Sequence, residues 1–186
     1  MKKKIIIPII CLLIVLLIAC GTIIFSKKEE IVDENILYSI KFNNVSLRVM
    51  RYDYSLGQNQ IVGVEKSIDN SEYEKITIEP IIVSMKPMFV FLNENLGFSI
   101  SKSNLTKSNN YMGMKVTYDG GKTFTRAVIN YDNPDIELLT IKGVPYYENN
   151  ILKLPCSIYQ VKDDKSGYEN VELIFVSTDN GLTWNI

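Results

Sequence analysis

Beyond residue 35 the chain alternates apolar and polar positions with a period of two. Ser46-Leu47-Arg48-Val49-Met50-Arg51-Tyr52 puts Leu47, Val49 and Arg51 on one side, because successive side chains of a strand point to opposite faces. Ile76-Thr77-Ile78-Glu79 alternates up to Pro80, and Met88-Phe89-Val90-Phe91-Leu92 is an apolar run of strand length. Met112–Tyr118, Phe124–Ile129, Ile136–Ile141, Ile151–Tyr159 and Val171–Ser177 read as further strands between clusters of Asn, Gly, Asp and Pro. The Ser/Asn/Lys-rich stretch from Ser99 to Asn110 reads as a loop. No window in this region sustains a helical stripe, so many short strands predict an all-β domain over residues 36–186.

The N-terminus has a different pattern. From Ile5 to Phe25 no side chain is charged, a run long enough as a helix to cross ~30 Å of hydrocarbon. Residues 1–25 are therefore expected to form a hydrophobic signal or anchor helix, and the charged run SKKEEIVDEN, residues 26–35, a short tether. Two outcomes compete. In one the segment is an uncleaved span, with Lys2, Lys3 and Lys4 on the cytoplasmic side. The other rests on Leu17-Ile18-Ala19-Cys20-Gly21, which resembles the lipobox of bacterial lipoproteins; the resemblance implies lipidation of Cys20 and cleavage after Ala19. Both place the domain on the extracytoplasmic side of a cell membrane.

Composition then removes function classes. With 20 Lys+Arg against 21 Asp+Glu, the formal charge of −1 gives no electrostatic case for nucleic acid. The absence of His removes the commonest general base and zinc ligand. Cys11 and Cys20 lie in the apolar run, which leaves Cys156 alone in the domain with no disulfide partner and no His to activate it.

Two segments repeat one another. Thr117-Tyr118-Asp119-Gly120-Gly121-Lys122-Thr123-Phe124 and Ser177-Thr178-Asp179-Asn180-Gly181-Leu182-Thr183-Trp184 share a hydroxyl residue, Asp, Gly, Thr and an aromatic at the same spacing. Asp accepts backbone N–H groups within a turn, and Gly takes positive φ without steric cost. The pattern resembles the Asp box, or BNR repeat, of sialidases and of sialidase-like and photosystem-assembly-type β-propellers. Phe91-Leu92-Asn93-Glu94-Asn95-Leu96-Gly97-Phe98 is similar to the strand that opens blades in those propellers, and Ser67-Ile68-Asp69-Asn70-Ser71-Glu72-Tyr73-Glu74 reads as a worn third copy. The resemblance covers roughly residues 88–186. It implies hairpins that join the two outer strands of a blade, with structural roles for Thr117, Asp119, Gly121, Thr123 and Phe124 and for Ser177, Asp179, Gly181, Thr183 and Trp184. Residues 36–186 have room for about three blades, fewer than such propellers close with. The expected fold is a propeller fragment, completed by other copies, or a compact β-sandwich-like domain.

The same family raises the question of glycoside hydrolysis. Sialidases resemble one another in an arginine triad that clamps the substrate carboxylate. This domain offers only Arg48, Arg51 and Arg126, and on one strand Arg48 and Arg51 face opposite sides. Asp163-Asp164-Lys165-Ser166-Gly167 lacks the alternating carboxylates of a calcium loop, and Asn104-Leu105-Thr106 fits a glycosylation acceptor only in a eukaryotic secretory pathway. No catalytic residue, metal or cofactor is expected. The leading expectation is a non-catalytic, membrane-anchored β domain of the bacterial cell envelope that binds a protein or glycan partner and forms homo-oligomers in one arrangement. Tyr52, Tyr54, Tyr146 and Tyr147 are candidate contact residues. The alternatives are a degenerate or oligomer-completed sialidase-like hydrolase and a structural subunit of an envelope complex.

Overall fold

A computed structural model of the chain describes residues 33–55, 59–84, 86–101, 104–106, 113–131, 136–162 and 166–186. The apolar run, Cys20, the Asp163-Asp164 turn and Tyr54's side chain lie outside what is described. Among the described residues no helix is long and apolar enough to cross a membrane. The domain is all-β, built of several sheets, none of them closed.

The first sheet is a meander of β1 (Ile36–Phe42), β2 (Val45–Ser55), β3 (Asn59–Ile68) and β4 (Glu74–Lys75), with β5 (Ile81–Val83) also on β3. Next come β6 (Met88–Phe91), β7 (Gly97–Ile100), β8 (Asn104–Thr106), β9 (Met114–Thr117), β10 (Thr125–Arg126) and β11 (Val128–Ile129). Of these, β6, β7, β9 and β10 form the second antiparallel meander. The third sheet holds β8 with β12 (Ile136–Ile141), β13 (Tyr146–Glu148), β14 (Ile151–Val161) and β15 (Tyr168–Ser177). The last strand, β16 (Thr183–Trp184), pairs in parallel with β11, and Asn185 bridges back to Val176 of β15. A turn follows β3, β9 and β15, at residues 68–72, 117–124 and 177–184, and leads to β4, β10 and β16 respectively.

Period-two alternation explains how the sheets stack. On β6, Phe89 and Phe91 face the first sheet and bury against Val45, Leu47, Val49, Val62, Val64, Ile81 and Val83. On β7 and β9, Phe98, Ile100, Met114 and Val116 face the third sheet and meet Leu139, Ile141, Leu152, Leu154, Cys156, Ile158 and Phe175. The second sheet is thus the middle of three layers, burying β6 aromatics on one side and β7 and β9 side chains on the other, with Ser99, Lys115 and Thr117 among those turned toward the first sheet. Each such large side chain taken from water contributes about 1.5–3 kcal/mol. Gly97 permits one close approach, because a Cβ there would lie 2.4 Å from the Phe91 ring.

Several segments depart from the sequence reading. Ile76–Glu79 is not a strand. Instead the Val64 N–H donates to Thr77 Oγ1 at 2.5 Å, and the Thr77 hydroxyl donates to the Gly121 carbonyl at 2.8 Å. A side-chain hydroxyl there takes the place of a ladder bond, leaving Ile78 71% exposed. The stretch from Ser99 to Asn110 is not simply a loop: Ser99 and Ile100 complete β7, and β8 crosses to the third sheet to pair with β12. Residues 91–98 are a hairpin turn rather than a single opening strand. Asn93 Oδ1 accepts the N–H groups of Asn95 and Leu96 at 2.9 and 2.8 Å, and this reverses the chain between β6 and β7. Phe124–Ile129 breaks at Ala127, where the strand leaves β9 for β16. The end of the predicted tether belongs to the domain, since Arg51 Nη2 donates to the Glu34 carbonyl and to Asn35 Oδ1, both at 3.1 Å.

Candidate functional site

The repeated turns have the same internal wiring. In the first, the Thr117 hydroxyl donates to Asp119 Oδ1 at 2.8 Å and accepts the Gly121 N–H at 2.8 Å. Asp119 then accepts Thr123 twice, the N–H at 3.0 Å on Oδ1 and the hydroxyl at 2.6 Å on Oδ2. In the second, Ser177 donates to Asp179 Oδ1 and accepts the Gly181 N–H, each at 2.8 Å. Asp179 accepts the Thr183 N–H at 2.8 Å and its hydroxyl at 2.6 Å. The five shared residue types are the five parts of one network: a donor-acceptor hydroxyl, a carboxylate, a glycine amide, a threonine that closes the turn and an aromatic that anchors it.

The anchoring contact also repeats, one layer on each time. A Cβ on Gly121 would sit 2.5 Å from Val64 of the first sheet, and one on Gly181 would sit 2.3 Å from Phe98 of the second. Phe124 packs on the core between the first and second sheets. Trp184 is fully buried between the second and third, edge-on to Phe98 with centroids 6.0 Å apart, and its Nε1–H donates to the Gly181 carbonyl at 3.0 Å. Each turn therefore fastens its own sheet to the preceding one.

The third connection, at Ser67–Glu74, occupies the equivalent position with different wiring. The Ser67 hydroxyl donates to the Ser71 carbonyl at 2.6 Å rather than to Asp69. Asp69 and Asn70 both take positive φ, 52° and 61°, and the Ser71 N–H donates to the Ile68 carbonyl at 2.9 Å. This is a tight two-residue hairpin turn. Without the glycine and closing threonine, the Asp has no network to organise.

Both box carboxylates are committed. Burial pushes Asp119 and Asp179 upward, but the hydroxyl and N–H of Thr123 and Thr183, with Thr117 and Ser177, outweigh it and hold each carboxyl below its ordinary value. A folded-state value below the unfolded one (about 3.9) stabilises the domain fully above that unfolded value. The contribution is lost as pH falls through the lowered folded value. Unfolding midpoints of the wild type and of Asp119→Asn/Asp179→Asn, compared between about pH 2 and pH 6, are expected to differ most at the upper end and to converge at the lower.

The other polar candidates do not converge. Arg48 pairs with Glu65 at 2.7 Å and lies 3.9 Å above the Tyr73 ring; Arg51 is bonded to Glu34 and Asn35; Arg126 lies exposed on the edge strand β10. Cys156 is buried in β14, and burial, with Glu172 adding to it, pushes its thiol up to about 12. Tyr52 is not an open contact residue. Its ring lies against Gly63, its hydroxyl is buried with no partner among the described residues, and burial raises it to about 12. Among the described residues no group of three His, Cys, Asp or Glu is placed to hold a metal ion.

Two surfaces carry recognition chemistry, and of their residues the sequence singles out Tyr146 as a contact candidate. On the outer face of the third sheet, Tyr146, Ile151, Tyr159, Tyr168 and Ile174 are exposed, with Tyr159 and Tyr168 stacked at 4.8 Å. These residues lie on three strands, and the β13–β14 and β14–β15 pairings bring them to one face. Beside the first box is a cleft of about 310 Å³, lined by Ile78, Glu79, Pro80, Ile81, Lys115, Lys122, Thr123 and Phe124. The one sequence signal for Lys115 was a charge between the buried positions Met114 and Val116.

No family model and no curated protein matches the chain.

Proposed function

We propose that this is a non-catalytic Asp-box β-repeat domain, anchored at the outer face of a bacterial cell membrane, that binds another protein through the outer face of its third sheet. The repeated turns are the blade hairpins of that repeat family, and the three meanders are three blade-like units. The observation that carries the reading is the commitment of both box carboxylates to hydrogen bonds within their own turns, which assigns them to architecture and leaves recognition to the surface.

The composition of the outer face supports a protein partner. Ile151, Ile174 and the Tyr159–Tyr168 pair are exposed along this face, with Glu172 between Ile174 and Tyr159 and the Lys153–Glu148 ion pair near Ile151. Exposed apolar patches with a polar border mark association surfaces, and tyrosine supplies contact area at low entropic cost. A partner's sheet or helix packs here as a further layer.

Ile174→Asp/Tyr168→Ala removes the patch from an exposed face and leaves the fold intact. Membranes carrying the full chain are solubilised in mild detergent, and retained proteins are quantified for wild type and variant. The expected result is a protein retained in stoichiometric amount by the wild type and lost with the variant. Identical retention by both, recognition of glycans alone, or turnover of a sialidase-type fluorogenic substrate contradicts the proposal.

A further inference from the structure

β15 is a sheet edge left open along most of its length. It is ten residues long and pairs with β14 from Tyr168 to Ser177 without a register shift. On its other side the described residues supply one contact, the Val176–Asn185 bridge. The corresponding strand of the first sheet, β3, is also ten residues long. Its far side is closed by β4 at Glu65 and Lys66 and by β5 from Gln60 to Val62. Natural edges are blunted by short strands, bulges, proline or lysine, and β15 has none of these between Tyr168 and Phe175.

The hydrogen bonds at its two ends fix which groups are open. Val176 and Asn185 exchange N–H···O bonds at 2.7 and 2.9 Å, so the main chain of Val176 points away from β14. At the other end the Lys162 N–H donates to the Gly167 carbonyl at 2.9 Å, so the odd positions face β14. Alternation then turns the N–H and C=O of Tyr168, Asn170, Glu172 and Ile174 to the open side. The side chains of these residues stand on the outer face and are exposed. Those of Glu169, Val171 and Leu173 point to the core side, where Val171 and Leu173 are only partly buried.

We propose that β15 pairs with β15 of a second copy of this chain, antiparallel about a two-fold axis at Val171. In this register all the open residues face one another: Tyr168 against Ile174 of the second copy, and Asn170 against its Glu172, each pair formed twice. An axis at Glu172 would set that carboxylate against itself, which is destabilising, and would run Tyr168 into Val176, already held by Asn185. An axis at Asn170 would leave Ile174 opposite Ser166, beyond the strand. About Val171 no like charges stand opposite, and Asn170 brings an amide donor to the Glu172 carboxylate. On the core side Val171 meets its own copy and Leu173 meets Glu169, which covers the partly buried rim of the core. The pairing uses the edge of β15 rather than the outer face, and it stands whether or not that face binds another protein.

The test is disulfide trapping of the full chain in mild neutral detergent, with the linked peptides identified by mass spectrometry. Opposed residues of a non-hydrogen-bonded pair have Cα atoms about 4.5 Å apart, within reach of a disulfide. Val171→Cys is therefore expected to link to its own copy. Leu173→Cys alone is expected not to, since its two copies lie at least about 13 Å apart along the strands, but to link when mixed with Glu169→Cys. Glu172→Pro removes an open N–H and none from the β14 ladder, a position where an edge strand accepts proline. In sedimentation equilibrium it is expected to weaken the dimer about tenfold or more, the scale of two lost hydrogen bonds, with an unchanged circular-dichroism spectrum. A wild type with one copy per particle, no Val171→Cys link, an equally efficient Leu173→Cys self-link, or a dimer unaffected by Glu172→Pro overturns the proposal.

Discussion

Trp184→Ala is expected to lower the unfolding free energy by about 3–5 kcal/mol, the cost of truncating a large buried aromatic. The indole is fully buried, stacks edge-on to Phe98 and donates to the Gly181 carbonyl. It also ends the short strand β16, which holds β11 and Asn185 in place. Total stabilities of about 5–15 kcal/mol are usual, so the variant stands near its unfolding limit. Trp184 is the only tryptophan, and the comparison is therefore made by far-ultraviolet circular dichroism in urea. Trp184→Phe, which installs the residue that the first turn already uses at Phe124, should lose about 1–2 kcal/mol. Equal midpoints for wild type and Trp184→Ala would remove the aromatic from its role as inter-sheet anchor.

The second large effect is predicted at the box glycines. Gly121 and Gly181 have φ of 98° and 90°, where an added Cβ costs about 1–2 kcal/mol in the backbone alone. The same Cβ would press on Val64 at 2.5 Å or Phe98 at 2.3 Å, and neither neighbour has room to retreat from a packed interface. Overpacking of this kind adds about 1–3 kcal/mol. Gly121→Ala and Gly181→Ala are thus expected to lose about 2–5 kcal/mol each. Gly167→Ala separates the two causes, because Gly167 also has positive φ, 153°, but nothing lies within 4 Å of its Cβ position. A loss at Gly181 no greater than at Gly167 would show that the turn does not press on the neighbouring sheet.

The parts of the fold that were legible in the sequence are those coded locally. The box wiring runs between residues at most four apart, so spacing alone named all of its members. Alternation likewise placed Leu47 and Val49 on one face. Alternation names a face but never a partner, and the errors follow from that. Ile76-Thr77-Ile78 alternates, yet Thr77 answers to Gly121, forty-four positions away. Phe124–Ile129 reads as one strand because nothing local at Ala127 announces the change from β9 to β16. Residues 91–98 looked extended because both flanks are apolar, while the turn depends on Asn93 folding back on the amides of Asn95 and Leu96. The candidate surfaces are less legible still. Tyr159 stacks on Tyr168, and Lys115 comes to line one cleft with Glu79, only after strands separated in the chain have paired.

The central claim is that one hydrogen-bonded turn, used twice, fastens successive sheets to one another. Hydrogen exchange of the full chain in mild detergent, resolved at the amides of Gly121, Thr123, Gly181 and Thr183, tests it most directly. The account predicts that all four are protected to the degree of ladder amides in β9 and β15, since each donates to a side-chain oxygen of its own turn. It further predicts that Asp179→Ala releases Thr183 while leaving the first turn protected. Exchange of these four amides at the rate of an unstructured chain in the wild type would contradict it.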